Sequence, residues 1–222
     1  LTDVTGVQTC ALPISLNMFS FSQHVPQRGY GYNYKYHYWL APSTGDSEGS
    51  FPYLMPVAEG RLAQAGTEGD NRISDSFRGE KGDTVFCMRR GTVVAVPRHE
   101  NLDFRLSPFD CLEVMHEDLT YMVYENISDE KVALSPGQVI LPGDPVAPFS
   151  DKGYLKVTLL EVVNDSNMVA SKPIKYITAD GETVDFEQIE GREKAVRPLE
   201  VITLEMEAAE RKKAEKARAV SK

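Results

Sequence analysis

Between Asp83 and Ala147 the chain is built from short apolar, β-branched runs separated by glycine turns: DTVFCMRRGTVVAV, CLEVMHEDLTYMVYENI and VALSPGQVILPGDPVA. Val, Ile, Thr and Tyr suit a pleated, half-buried surface, and runs of this length bounded by Gly, Pro and Asp read as strands. Arg90-Gly91 lies between VFCM and TVVAV as a hairpin turn would. Ser135-Pro136-Gly137 and Pro142-Gly143-Asp144 predict two tight turns with glycine at the left-handed position, bridged by the short strand Val139-Ile140-Leu141. Tyr154–Val163 is a further apolar strand, and Ile174–Thr178 with Thr183–Phe186 flank Asp180-Gly181 as a hairpin. Pro97–Asp110 is long and polar, a surface loop. The expected fold class is mainly β, a sandwich or barrel of short antiparallel strands.

At Pro198 the period changes. Leu199, Ile202, Met206 and Ala209 recur at three and four, starting after a proline, so a C-terminal α-helix is expected over 198–222. Its charged end, EMEAAERKKAEKARA, is either a solvated helix or a surface for a partner or an acidic lipid layer.

The N-terminal quarter reads differently. Residues 1–15, with Asp3–Ile14 (DVTGVQTCALPI), look like one reading frame of a sequencing-adapter oligonucleotide, an assembly artefact, the alternative being an ordinary disordered leader. Residues 16–50 follow as a separate segment. Leu16–Gln23 (LNMFSFSQ) is uncharged and apolar, either the tail of a secretory signal peptide or a buried first strand. In YGYNYKYHY, Tyr30 to Tyr38, tyrosine occupies every second position, so the rings share one face of a strand. That face is either a platform for stacking sugars or a packed surface with hydroxyls at its rim. Ala41–Ser50 is loop-like, and residues 51–197 form the predicted β domain, with a second loop at Ala65–Asp70.

A net charge of −9 leaves no basic surface to neutralise phosphates, so nucleic acid is excluded as a partner. No apolar run approaches the ~18 residues a membrane-spanning helix needs, so no transmembrane segment is expected in the mature chain. Outside the artefact the cysteines are Cys87 and Cys111, both at apolar strand positions, packed as small hydrophobes or joined as one disulfide.

The glycine cadence over Tyr53–Val163, about half of the chain, resembles the LytM or lysostaphin-type zinc endopeptidases, which cut peptide cross-links of bacterial cell walls. The segment Pro198–Met206 is also similar to the tail of secreted proteins from the Bacteroidetes group. The resemblance implies a duplicated hybrid motif fold, a periplasmic or secreted location, and zinc held by a His-x-x-x-Asp pair and the last histidine of a His-x-His pair. Such a zinc leaves one position for water and turns it into a nucleophile. A further histidine on a Tyr-x-His-Leu strand end handles protons.

Matched residue by residue, that constellation is lost. Asn71-Arg72-Ile73-Ser74-Asp75 stands where His-x-x-x-Asp would be, so Asn71 replaces the histidine and Asp75 keeps the carboxylate. Val157-Thr158-Leu159-Leu160-Glu161-Val162 stands where the family has His-x-His-Phe-Glu-Val, with Val157 and Leu159 at the histidine positions. Tyr124-Glu125-Asn126-Ile127 puts Asn126 at the proton-handling position. The four histidines, His24, His37, His99 and His116, share no metal-ligand spacing, and His116 reads as structural. One carboxylate does not hold a catalytic zinc, so neither catalytic residue, metal ligand nor cofactor is expected. The candidate groove is Asn71, Asp75, Tyr124, Asn126, Val157 and Leu159.

The implied function is that of a catalytically inactive peptidase-fold domain of the cell envelope, binding peptidoglycan peptides or regulating an envelope hydrolase. The alternatives are an active zinc endopeptidase that recruits His99 or His116, and a structural module whose groove is filled. Carrier domains with lipoyl or biotinyl arms share the two-glycine hammerhead of Gly137 and Gly143, but need a lysine at a hairpin tip that here reads Glu117-Asp118.

Overall fold

The computed structural model describes residues 51–66, 74–97, 111–128, 133–163 and 169–220. The Tyr30–Tyr38 strand, Asn71, His99, the 98–110 loop and the first fifty residues lie outside them.

The strands run β1 (Pro52–Tyr53), β2 (Asp75–Arg78), β3 (Thr84–Phe86), β4 (Gly91–Ala95), β5 (Leu112–Met115) and β6 (Thr120–Glu125). They continue with β7 (Val139–Ile140), β8 (Pro145–Pro148), β9 (Tyr154–Val162), β10 (Val169–Lys172), β11 (Lys175–Ile177) and β12 (Thr183–Val184). Three helices close the chain: α1 (Phe186–Ile189), α2 (Leu199–Ile202) and α3 (Ala208–Val220). The mainly β architecture with a C-terminal helix matches the expectation. No described helix is long and apolar enough to cross a membrane.

Seven strands form the main sheet in the order β10-β9-β6-β5-β4-β7, with β2 beside the first half of β9 and β10 beside its second half. Every pair in it is antiparallel. The strand β9 organises it. Leu155, Val157 and Leu159 alternate toward one face and are buried, and that face continues through Phe77 on β2, Met122 and Tyr124 on β6, and Leu112 and Val114 on β5. The small sheet β1-β11-β12 contributes Tyr53 and Tyr176 to the same core cluster, joined by Ile189 of α1.

Both glycine turns form as expected. Gly137 and Gly143 have φ of 87° and 88°, and the turns close through Gln138 N–H to Ser135 O at 3.0 Å and Asp144 N–H to Leu141 O at 3.0 Å. The Asp180-Gly181 hairpin joins β11 to β12. Its second strand stops at Val184, two residues before the predicted end, because Asp185 starts α1: its N–H donates to Gln188 Oε1 at 3.0 Å.

Arg90-Gly91 is not a hairpin turn. β3 pairs with β8, whereas β4 pairs with β5 and β7, and Gly91 is itself a strand residue. Between them Cys87 N–H donates to Asp144 O and accepts Gly143 N–H at its carbonyl, both at 2.8 Å, while Leu54 N–H reaches Met88 O at 3.0 Å. These bonds carry the chain from one sheet to the other. Cys87 and Cys111 are not joined as a disulfide, and both are fully buried.

The expected C-terminal helix is broken at Thr203–Glu207. The Thr203 hydroxyl donates back to the Leu199 carbonyl at 2.8 Å, a bond that competes with helix continuation. The break lets Glu205 turn inward to Arg89 and buries Met206. Val201 packs with Leu54 and Ile177 in a second small core, so the segment after residue 197 is tied to the β domain.

Candidate functional site

Strand pairing places three of the sequence-derived site residues in one row. Asp75 on β2 is directly opposite Val157 on β9, which is opposite Tyr124 on β6. Leu159 is two residues on along β9 and faces the same side, opposite Met122 and Lys172. Asn126 lies just past the end of β6, and Asn71 is outside the described residues. The row is therefore real in register, and its side chains are packed. Tyr124 and Val157 are 0% exposed and Leu159 is 2% exposed.

Each polar member of the row is spoken for. The Tyr176 hydroxyl donates to Asp75 Oδ2 at 2.7 Å, and the ring of Tyr176 sits edge-on to Phe77 and Phe186 at 5.6 and 6.1 Å. Burial pushes the Asp75 carboxyl up to about 6, helped by the nearby Glu187 and Asp185 carboxylates, although the Tyr176 hydrogen bond pulls the other way. Burial also raises the Tyr176 and Tyr124 phenols well above their usual range. The Tyr124 hydroxyl accepts the Met88 N–H at 3.0 Å. Both phenols are held neutral, as hydrogen-bonding struts.

Asn126 has φ of 64°, a left-handed conformation that asparagine tolerates better than most residues. Its Oδ1 accepts from Lys152 Nζ at 2.8 Å and its carbonyl accepts Ser150 N–H at 3.2 Å. A carboxamide has no proton to exchange near neutral pH, so Asn126 can position a group but not act as acid or base.

His116 is buried beneath β4. Its Nδ1 donates to the Arg90 carbonyl at 2.8 Å, and the ring meets Tyr53 edge-on at 5.9 Å. Burial first, and then the Arg89 guanidinium, push its pKa down to about 3, so the imidazole is neutral. Next to it lies a polar network that the sequence did not reveal. Arg89, 4% exposed, donates to Asp118 Oδ2 at 2.8 Å, to Glu205 Oε1 at 2.6 and 3.0 Å and to the Tyr53 hydroxyl at 3.2 Å. Its guanidinium stacks on Phe51 at 3.8 Å. An arginine next to the predicted Arg90-Gly91 turn gave no sign that it would be buried.

Donor chemistry decides whether zinc fits here. Asp75 is the one described residue at the matched ligand positions with a coordinating atom, and that carboxylate is engaged by Tyr176. Val157 and Leu159 offer only carbon. Among the described residues no group of three or more His, Cys, Asp or Glu side chains could hold a metal ion. These described residues do not fit a catalytic zinc.

No family model matches the chain, and no curated protein does. Among solved structures, Csd3 of Helicobacter pylori is similar over 82% of this chain and 49% of its own, at 13% identity and a TM-score of 0.38. The chain thus spans about half the length of that protein. The catalytic domain of lysostaphin from Staphylococcus simulans, an antimicrobial peptidase, is similar over 52% of this chain and 87% of its own, at 14% identity and a TM-score of 0.35. The deep-sea M23 metalloprotease pseudoalterin is similar over 67% of this chain and 98% of its own, at 15% identity and a TM-score of 0.36. None of these likenesses assigns a role to a residue of this chain.

Proposed function

We propose that this chain is a degenerate LytM-type peptidase-fold domain of the cell envelope that has lost its catalytic metal centre and serves as a binding or regulatory module. Its ligand is a peptidoglycan peptide or a wall hydrolase, and its location is periplasmic or secreted. One observation carries the reading: Asp75 and Val157, paired across β2 and β9 with Leu159 two residues on, stand at positions matched to the family's Asp ligand and its His-x-His pair, and the site is closed by carbon and by the Tyr176 hydroxyl. On this reading Val157 and Leu159 put core where a zinc peptidase has chemistry. Binding is then a task for the outer surface.

The burial of Tyr124, Val157 and Leu159 also favours a second reading, a structural module of a larger assembly with its groove filled. Two measurements separate the possibilities. The first is a thermal-melt titration of the full chain with Zn²⁺, with metal content read in parallel. A site saturated a thousandfold above its Kd would stabilise by ~4 kcal/mol, a rise on the order of 10 °C. The expected result is no rise and no stoichiometric zinc; a stoichiometric rise overturns the reading and revives the peptidase. The second is sedimentation with purified peptidoglycan and with envelope hydrolases. Retention by either supports the binding module, and retention by neither leaves the structural one.

A further inference from the structure

We infer that the cleft at the outer end of β2 is a binding site for a small oxyanion, a carboxylate or a phosphate carried on a compact ligand. The inference is independent of the peptidase-fold reading. The cleft measures about 550 Å³ and is lined by Arg61, Gln64, Arg78, Glu80 and Lys152, with the backbone of Gly66, Gly79 and Gly153 between them. That volume exceeds a bare ion and suits a ligand of a few residues or one sugar.

Charge selects the ligand class. The whole chain carries −9, yet three of the five side chains that line this space are cations, Arg61, Arg78 and Lys152. Lys152 donates to the neutral amide of Asn126. Among the described residues, no carboxylate lies within ion-pair distance of Lys152 or of Arg78, which is exposed. Glu80 is the one opposing charge on the lining. The glycines contribute no side chains, so the cationic groups are what a ligand would meet.

The chain itself displays the chemistry at the cleft's margin. The Asp83 carboxylate is held there by Arg61 and by the Glu80 N–H at 2.8 Å, and the Arg61 hydrogen bond lowers its pKa. Arg78 and Lys152 are the other two cations of the lining, and they are the groups left for an oxyanion from outside the chain. A planar guanidinium can take a carboxylate or phosphate through two parallel hydrogen bonds, and a lysine adds a point charge.

The test uses the full chain at low ionic strength and three probes: acetyl-Ala-Ala with a free carboxylate, the same dipeptide as its C-terminal amide, and inorganic phosphate, with binding read by calorimetry or by NMR titration. The expected result is binding of the free acid or of phosphate, no binding of the amide, and loss of affinity with added salt. Whichever of the two anions binds more tightly identifies the source of the oxyanion. Arg78→Gln and Lys152→Gln should each weaken binding roughly tenfold. Glu80→Gln should tighten it, a change of opposite sign that general damage to the fold would not produce. Equal binding of acid and amide, binding of neither anion, or full affinity in both Arg78→Gln and Lys152→Gln overturns the inference.

Discussion

The Tyr176 hydroxyl donates a 2.7 Å hydrogen bond to Asp75 Oδ2, joining β11 to β2 across 101 positions of sequence. The bond closes the polar end of a row that is otherwise aliphatic and aromatic. It gives the half-buried Asp75 carboxylate one strong donor, and the stability of the fold should report on it. With its pKa raised to about 6 in the folded chain and near 4 when unfolded, Asp75 binds a proton more readily folded. Its contribution is therefore fully present below about pH 4 and is lost as pH rises through about 6. Two pH units correspond to ~3 kcal/mol at most, less what solvent screens from a partly exposed group. In urea melts between pH 4 and 7, Asp75→Asn should gain stability relative to the parent as pH rises. A difference that stays flat across that range would sink the assignment.

Removing the donor instead of the acceptor should act in the opposite sense. Tyr176→Phe keeps the ring contacts with Phe77 and Phe186 but leaves the Asp75 carboxylate without its hydroxyl. An unsatisfied buried acceptor costs about 1–3 kcal/mol, more when charged. The loss should be larger at pH 7 than at pH 4, where the carboxyl is protonated. Equal losses at both pH values would mean that the hydroxyl bonds to something other than the anion.

The Arg89 network supports a stronger expectation. Arg89 links Asp118 in the β5–β6 turn to Glu205 in the break between α2 and α3, so one guanidinium ties the C-terminal segment to the main sheet. Truncation as Arg89→Ala leaves two half-buried carboxylates facing each other's field. Breaking a buried pair in this way costs about 3–5 kcal/mol. The cost should shrink in an Arg89→Ala, Glu205→Gln double variant, because one of the stranded charges is gone. Strict additivity of the two changes in chemical denaturation would contradict a shared network.

What the sequence made legible follows the physics of short-range signals. Gly137, Gly143 and Gly181 mark turns because only their backbones take φ near +88° without strain, and that requirement is local. The β9 strand was legible because the apolar run YLKVTLLEVV needs no knowledge of a partner. The larger departures are non-local. Arg90-Gly91 carries hairpin chemistry, yet β3 pairs with β8 instead of with its neighbour. The parallel pairing of β1 with β11 joins Pro52 to Lys175, and nothing in either dipeptide announces it. The helix after Pro198 has an unbroken apolar period, and its interruption is set by Thr203 and by the pull of Arg89 on Glu205. In the candidate site the same division holds. Matching motifs named Asp75, Val157 and Tyr124, which strand pairing sets in one row, but Tyr176, which decides what Asp75 can do, lies outside every motif.

Two glycines separate packing from conformation and make a last prediction. A Cβ added at Gly79 would fall 2.3 Å from the Phe149 ring, and Phe149 is fully buried and cannot swing away. Gly79→Ala should therefore cost about 1–3 kcal/mol as overpacking. Gly60 has open space around its Cβ position but φ of +79°, so Gly60→Ala should cost roughly 1–2 kcal/mol through backbone strain alone. The two costs are similar in size and differ in origin. Phe149→Leu, which shortens the obstructing ring, should recover part of the Gly79→Ala loss and none of the Gly60→Ala loss. A double-mutant cycle by urea denaturation checks this: coupling at Gly60 equal to that at Gly79 would show that Phe149 acts through general loosening of the core and not through contact with residue 79.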